Sequence, residues 1–127
     1  MLRRTPLKRG DAELSREAPL RRLTAMKRAN AKRRAEAFEE DFGGQARVRW
    51  VQAQECCVCG AWPSVNAHVR SRGAGGKSYD IAPMCEAHHR EYDAGVETFY
   101  ANHPNIDLGV VAYETEVRWL AYLERTK

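Results

Sequence analysis

The chain has 127 residues, enough for one small domain, and at that size an apolar core alone gives modest stability, so a metal staple is an expected supplement. Its net charge of +4 is unevenly spread: residues 1–34 hold 12 Lys and Arg against 3 acids, whereas residues 35–127 hold 9 against 14. No apolar run reaches the roughly 18 residues of a membrane span and the start lacks a signal-peptide stretch, so the reading excludes a membrane partner and expects a cytoplasmic protein.

A basic arm on an acidic body suits DNA, because each neutralised phosphate releases counterions. Residues 1–23 contain a loose repeat, Arg4-Thr5-Pro6-Leu7-Lys8-Arg9 and then Ala18-Pro19-Leu20-Arg21-Arg22. Both prolines disfavour helix at the residue before them and apolar residues are few, which predicts a flexible basic arm. From Thr24, read as an N-cap, strong helix formers run to about Asp41, where Gly43-Gly44 stops them. A second short helix, Gln45 to Gln54, brings Val48 and Val51 to one side and leaves Trp50 on another as a core residue. Residues 24–54 are thus a helical segment, and 55–127 form the remaining core.

The chemistry concentrates in Cys56-Cys57-Val58-Cys59-Gly60 and Cys85-Glu86-Ala87-His88. Thiolates three positions apart on a tight turn reach one Zn2+ at about 2.3 Å, so Cys56, Cys59, Cys85 and His88 make a Cys3His set for a structural zinc. Cys57 is out of register for the turn and is read as a small buried hydrophobe. Farther on, His103 precedes Pro104 in a turn and receives no role. Asp107 is expected to cap a helix running to about Arg125, whose apolar stripe is Leu108, Val111, Ala112, Val117, Leu120 and Leu123, flanked by Trp119 and Tyr122.

The stretch from Asn66 to Met84, followed by the second ligand pair and His89, resembles the ββα-metal, or His-Asn-His, nuclease motif. It is similar in particular to zinc-containing phage versions, including the Ref and NinG types associated with recombination. The resemblance spans about Glu55 to Gly95, roughly a third of the chain. It implies an α+β fold: a small zinc-stapled ββα-metal core flanked by helices and preceded by the basic arm. His68 matches the general base that activates water, and Asp80 stands where the family usually has its Asn, in an orienting role or behind the metal ligands. His89 and Asp93, four apart on one helix face, would share a divalent ion, Mg2+ or Mn2+, with the scissile phosphate. Arg70, Arg72 and Lys77 on the glycine-rich loop would grip flanking phosphates, the alternative being a solvated basic loop. Ala67 departs from the pattern, since many members carry a further ligand there. Either His89, Asp93, waters and phosphate hold the ion alone, or Asn66 or Asp80 substitutes, or the site is weakened. The implied activity is metal-dependent hydrolysis of DNA phosphodiester bonds in phage recombination or DNA processing, with DNA and a recombinase filament as partners. Its rival is a noncatalytic zinc-dependent DNA-binding or recombination-accessory module.

Overall fold

The computed structural model describes residues 18–127, with side chains described from residue 27 onward, so the expected arm over residues 1–17 lies outside the described residues. Two compact units are present, residues 1–33 and 34–127. What is described of the first is helical backbone, part of α1 (Ala18–Phe42). This helix begins at Ala18 and not at the expected Thr24 cap, so residues 18–23 are helical. Pro19 falls in the first turn, where the missing N–H has no intrahelical acceptor to lose and the fixed φ favours the helix.

The second unit contains the end of α1 and everything after it. Gly43 and Gly44 stop the helix at φ of 77° and 93°, a left-handed region open to glycine. A Cβ on Gly43 would also sit 2.5 Å from Cδ of Arg47. The next helix, α2 (Gln45–Gln52), buries Val51 and, against expectation for a charged residue, Arg47. Arg47 Nη2 meets Glu116 Oε2 at 2.7 Å, while its Nε and Nη1 are buried with no hydrogen-bond partner among the described residues. Trp50, expected in the core, is half-buried and packs on Trp119 and Tyr122, with ring centroids 5.4 and 6.1 Å away.

Two short antiparallel strands follow, β1 (Val65–His68) and β2 (Ile81–Met84), with Ala67 opposite Ala82 and His68 opposite Ile81. Every residue of β2 is buried, which its apolar run Ile-Ala-Pro-Met permits. The connection contains two 3-10 turns, Arg72–Ala74 and Ser78–Asp80. Gly76 lies between them, and a Cβ there would fall 1.9 Å from the Arg70 carbonyl oxygen. Next come α3 (Glu86–Ala94), α4 (Val96–Asn102) and α5 (Leu108–Arg125). Ala67, Ala82, Met84, Tyr92, Phe99 and Leu108 pack with Cys56 into one core. The architecture is therefore α+β: a two-stranded hairpin and its following helix, surrounded by other helices.

Asp107 caps α5 as expected, its Oδ1 accepting from Gly109 N and Val110 N. The expected stripe needs correction. Leu108, Ala112, Thr115 and Trp119 are buried, whereas Val117, Leu120 and Leu123 are exposed. Apolar residues occur on several sides of this helix, and packing against β2 and the Ser78–Asp80 turn selects the buried side. Thr115 tolerates burial because its hydroxyl donates to the Val111 carbonyl. Among the described residues no helix is long and apolar enough to cross a membrane.

Candidate metal centre and adjoining cleft

Cys56 and Cys59 bracket a tight turn closed by Gly60 N donating to Cys56 O at 2.9 Å, with Gly60 at φ 72°. Val58 N points at Cys56 Sγ, 3.4 Å away. Cys57 N donates to the Pro83 carbonyl, which fastens this turn to β2. On the opposite side Cys85 is the N-cap residue of α3 and His88 lies in its first turn. The four ligand atoms all lie within 4.8 Å of one another.

A tetrahedral zinc with bonds of about 2.3 Å to sulfur and 2.0–2.1 Å to nitrogen requires edges of about 3.8 Å between sulfurs and about 3.6 Å between sulfur and nitrogen. Cys59 and Cys85 sulfurs are 3.8 Å apart, and Cys56 Sγ is 3.6 Å from His88 Nδ1. Cys85 Sγ lies closer to that nitrogen, at 3.1 Å. Both the donor set and its spacing fit a structural metal such as zinc, held through His88 Nδ1.

The thiols differ sharply in acidity. Burial works against ionisation of Cys56, yet hydrogen bonds from the backbone at Cys85, Cys59 and Val58 and from the Cys59 side chain lower it to about 6. For Cys59, a backbone bond at Ala61 favours the thiolate, but burial and hydrogen bonding with Cys56 and Cys85 together raise it. Cys57 is pushed up to about 11 by burial and then by the charge of Cys56. A thiol so reluctant to ionise is a poor ligand, which agrees with leaving it outside the set.

One group beside this centre was not singled out by the sequence. Glu91, one turn beyond His88 on α3, holds the ring of His103 with Nε2 at 3.0 and 3.1 Å from its two oxygens. Asn102 Nδ2 donates to Oε1 of the same carboxylate at 3.0 Å. Hydrogen bonds from Asn102 and then His103 hold the Glu91 carboxyl below its usual range. A ring nitrogen of His88 completes a cluster with Glu91 and His103 within 4.8 Å. His103, read as a turn residue without a role, thus has a defined partner. The usable signal was the i, i+3 spacing of His88 and Glu91, which shares a helix face.

A cleft of about 580 Å³ is lined by Phe42, Asn66, His68, Arg72, His89 and Asp93 among others. Asn66 and His68 alternate onto this side of β1 while Ala67 points into the core. His68 Nε2 lies 2.7 Å from the Asp41 carbonyl oxygen, and the Phe42 ring packs edge-on against it at 5.0 Å. A carbonyl only accepts, so this bond places a proton on Nε2, and in the neutral ring the lone pair is then on Nδ1. His89 Nε2 and Asp93 Oδ2 are 3.3 Å apart, on one face as their spacing predicts.

The remaining expected residues are placed differently. Asp80 braces the loop, its Oδ2 accepting from Lys77 N at 3.0 Å, but it does not touch the His68 ring, which the Asp41 carbonyl holds instead. Asp80 lines a separate hollow with Arg70. Asp80 is tied up because a carboxylate three residues beyond Lys77 closes the local turn first. Arg72 lines the cleft, but its Nη2 and Nε bind Asp41 Oδ2 at 2.9 and 3.0 Å and its guanidinium lies over Phe42. Lys77 Nζ is 2.7 Å from Glu40 Oε1 and 3.9 Å from Asp41 Oδ1, and the Glu40 hydrogen bond raises its pKa. These cations are therefore engaged by the last turn of α1 and are not free over the cleft.

No family model, curated protein or solved structure matches the chain.

Proposed function

We propose that the protein is a metal-dependent DNA endonuclease with a zinc-stapled ββα core of the His-Asn-His kind. The observation that carries this reading is the shared cleft of His68, His89 and Asp93, in which the Asp41 carbonyl leaves His68 with Nδ1 as its acceptor. A neutral imidazole with one fixed proton and one free lone pair is the form a general base needs near pH 7. Asp93 and His89, already paired on one helix face, are the donors for a divalent ion. Mg2+ or Mn2+, when bound there, supplies positive charge to the phosphate and the leaving oxygen. Ala67 accords with such an arrangement, because it is fully buried beside Ala82 and a longer ligand side chain there would enter packed core instead of the cleft. Coordination by two side chains, waters and phosphate suits Mg2+, which keeps several of its waters.

DNA is the substrate this reading favours, since 12 cations against 3 acids in residues 1–34 match a polyanion. Phage recombination or DNA processing, with a recombinase filament as partner, is the corresponding setting. The second reading, a DNA-binding or recombination-accessory module without turnover, is favoured by the pairing of Arg72 and Lys77 with Glu40 and Asp41.

The test is cleavage of single-stranded and duplex DNA in Mg2+ and in Mn2+, with and without a recombinase. The nuclease reading expects His68→Ala to keep zinc content and DNA affinity while turnover falls about 100-fold. Asp93→Ala is expected to raise the Mg2+ concentration needed for cutting. DNA binding by the wild-type chain with no turnover under any condition would establish the accessory reading in its place.

A further inference from the structure

Three polar side chains beside the metal centre form an arrangement that neither the zinc set nor the cleft requires. His88 turns Nδ1 toward Cys56 and Cys85. Its Nε2 therefore lies on the far edge of the ring, and a ligand imidazole must place that N–H somewhere. Glu91 follows His88 by three residues on the same face of α3, and the His88, Glu91 and His103 donor atoms gather within 4.8 Å. The carboxylate cannot swing freely. Asn102 and His103, at the end of α4, hold it from the opposite side at 3.0 Å each, and the His103 ring stands edge-on to that of His88 with centroids 5.3 Å apart.

We infer that Glu91 is a positioning carboxylate for the metal ligand His88, and that Asn102 and His103 keep it in place. Glu91 fixes the tautomer that presents Nδ1 to the metal and strengthens the imidazole as a donor, acting through His88 without touching the ion. Unlike the Cys pairs, whose spacing is local, this device joins the centre to the α3–α4 corner. The inference rests on the Cys3His metal reading and is independent of nuclease activity.

The experiment measures zinc affinity of the full chain by competition with a chromogenic chelator, for wild type, Glu91→Gln and His103→Ala, and for Glu91→Gln in a His88→Cys background. Glu91→Gln is expected to weaken zinc by about 10- to 100-fold, and His103→Ala by less. With His88 replaced by Cys there is no imidazole to orient, and the Glu91→Gln loss should vanish. A loss of equal size in that background would show that Glu91 only supports the fold and would overturn the inference. A second readout holds even where the His88→Cys chain does not fold: 15N spectra of the zinc-loaded wild type should show His88 with its proton on Nε2, exchanging faster with water in Glu91→Gln. Unchanged affinity and unchanged exchange in Glu91→Gln would overturn the assignment. A wild-type chain that binds no zinc would instead remove the metal centre itself.

Discussion

The metal centre and the cleft both draw on the hairpin and α3, and they are held by different physics. Around the Cys3His set, the four ligand atoms already lie within 4.8 Å of one another, and backbone hydrogen bonds favour one thiolate before any ion arrives. The cleft has no such closed cage. Its two ligand candidates pair with each other, and the His68 ring leans on a backbone carbonyl from a distant helix end. A structural metal site is expected to be closed, and a site that acts on substrate keeps open positions. Away from the metal centre the frame relies on an ion pair: the Gly43–Gly44 turn packs on Arg47, and Arg47 is held by Glu116 of α5.

Breaking the first region should have the largest effect. Cys59→Ser or Cys85→Ser is expected to lose zinc and leave the hairpin and α3 unfolded, because binding free energies of about 10–16 kcal/mol in small zinc domains are at the same time folding free energies. Zinc content by elemental analysis and helix content by circular dichroism check this; normal values for both in either variant would refute it.

Glu116→Ala attacks the other frame. It leaves the Arg47 guanidinium buried without its partner, and breaking a buried pair this way costs about 3–5 kcal/mol. Arg47→Met with Glu116→Leu should recover most of that stability, since apolar groups of similar volume can replace a buried pair. Denaturant melts of the zinc-loaded proteins measure both. Zinc stoichiometry should stay unchanged in the folded variants, which separates the two regions.

A smaller effect sharpens the cleft alone. Asp41→Asn removes the carboxylate that binds Arg72 while keeping the backbone carbonyl that holds His68. DNA affinity is expected to rise several-fold, on the scale of about 1 kcal/mol for an ion pair whose arginine is solvent-exposed, with thermal stability modestly lowered. Weaker binding in a low-salt titration would count against Arg72 as a phosphate contact.

The smallest effect is at Cys57. With its thiol pushed up to about 11, only about one molecule in a thousand is ionised at pH 8, so alkylation there should be slow and should speed up as pH rises toward 10. Cys57→Ala should retain full zinc content. Rapid labelling of Cys57 at pH 7 in the zinc-loaded protein, followed by mass spectrometry, would contradict its reluctance to ionise.

What the sequence discloses follows the same division. Cys56, Cys59, Cys85 and His88 were legible because each pair lies within one turn, so spacing alone determines which atoms meet. The Asp107 cap and the length of α5 were legible for the same local reason. Partners far apart in the chain were not. The Asp41 carbonyl against His68, 27 residues away, carries no side-chain signature, and Arg47 against Glu116 contradicts the usual exposure of charge. His103 was passed over because Pro104 makes it look like turn punctuation, although its meeting with Glu91 depends on how α3 and α4 fold back on one another. On α5 the pattern was ambiguous in itself, since apolar residues exceed the surface that β2 can cover.

The last turn of α1 gives Arg72 and Lys77 a pair of tethered counterions. A DNA phosphate sheds condensed counterions when a protein cation neutralises it, and each such contact steepens the fall of affinity with ionic strength. Arg72 and Lys77 already face Asp41 and Glu40, which stay covalently attached. A phosphate recruiting either cation would leave a carboxylate of the protein uncovered beside the DNA, so the net charge brought to the phosphates, and with it the salt slope, would be smaller than the two cations alone imply.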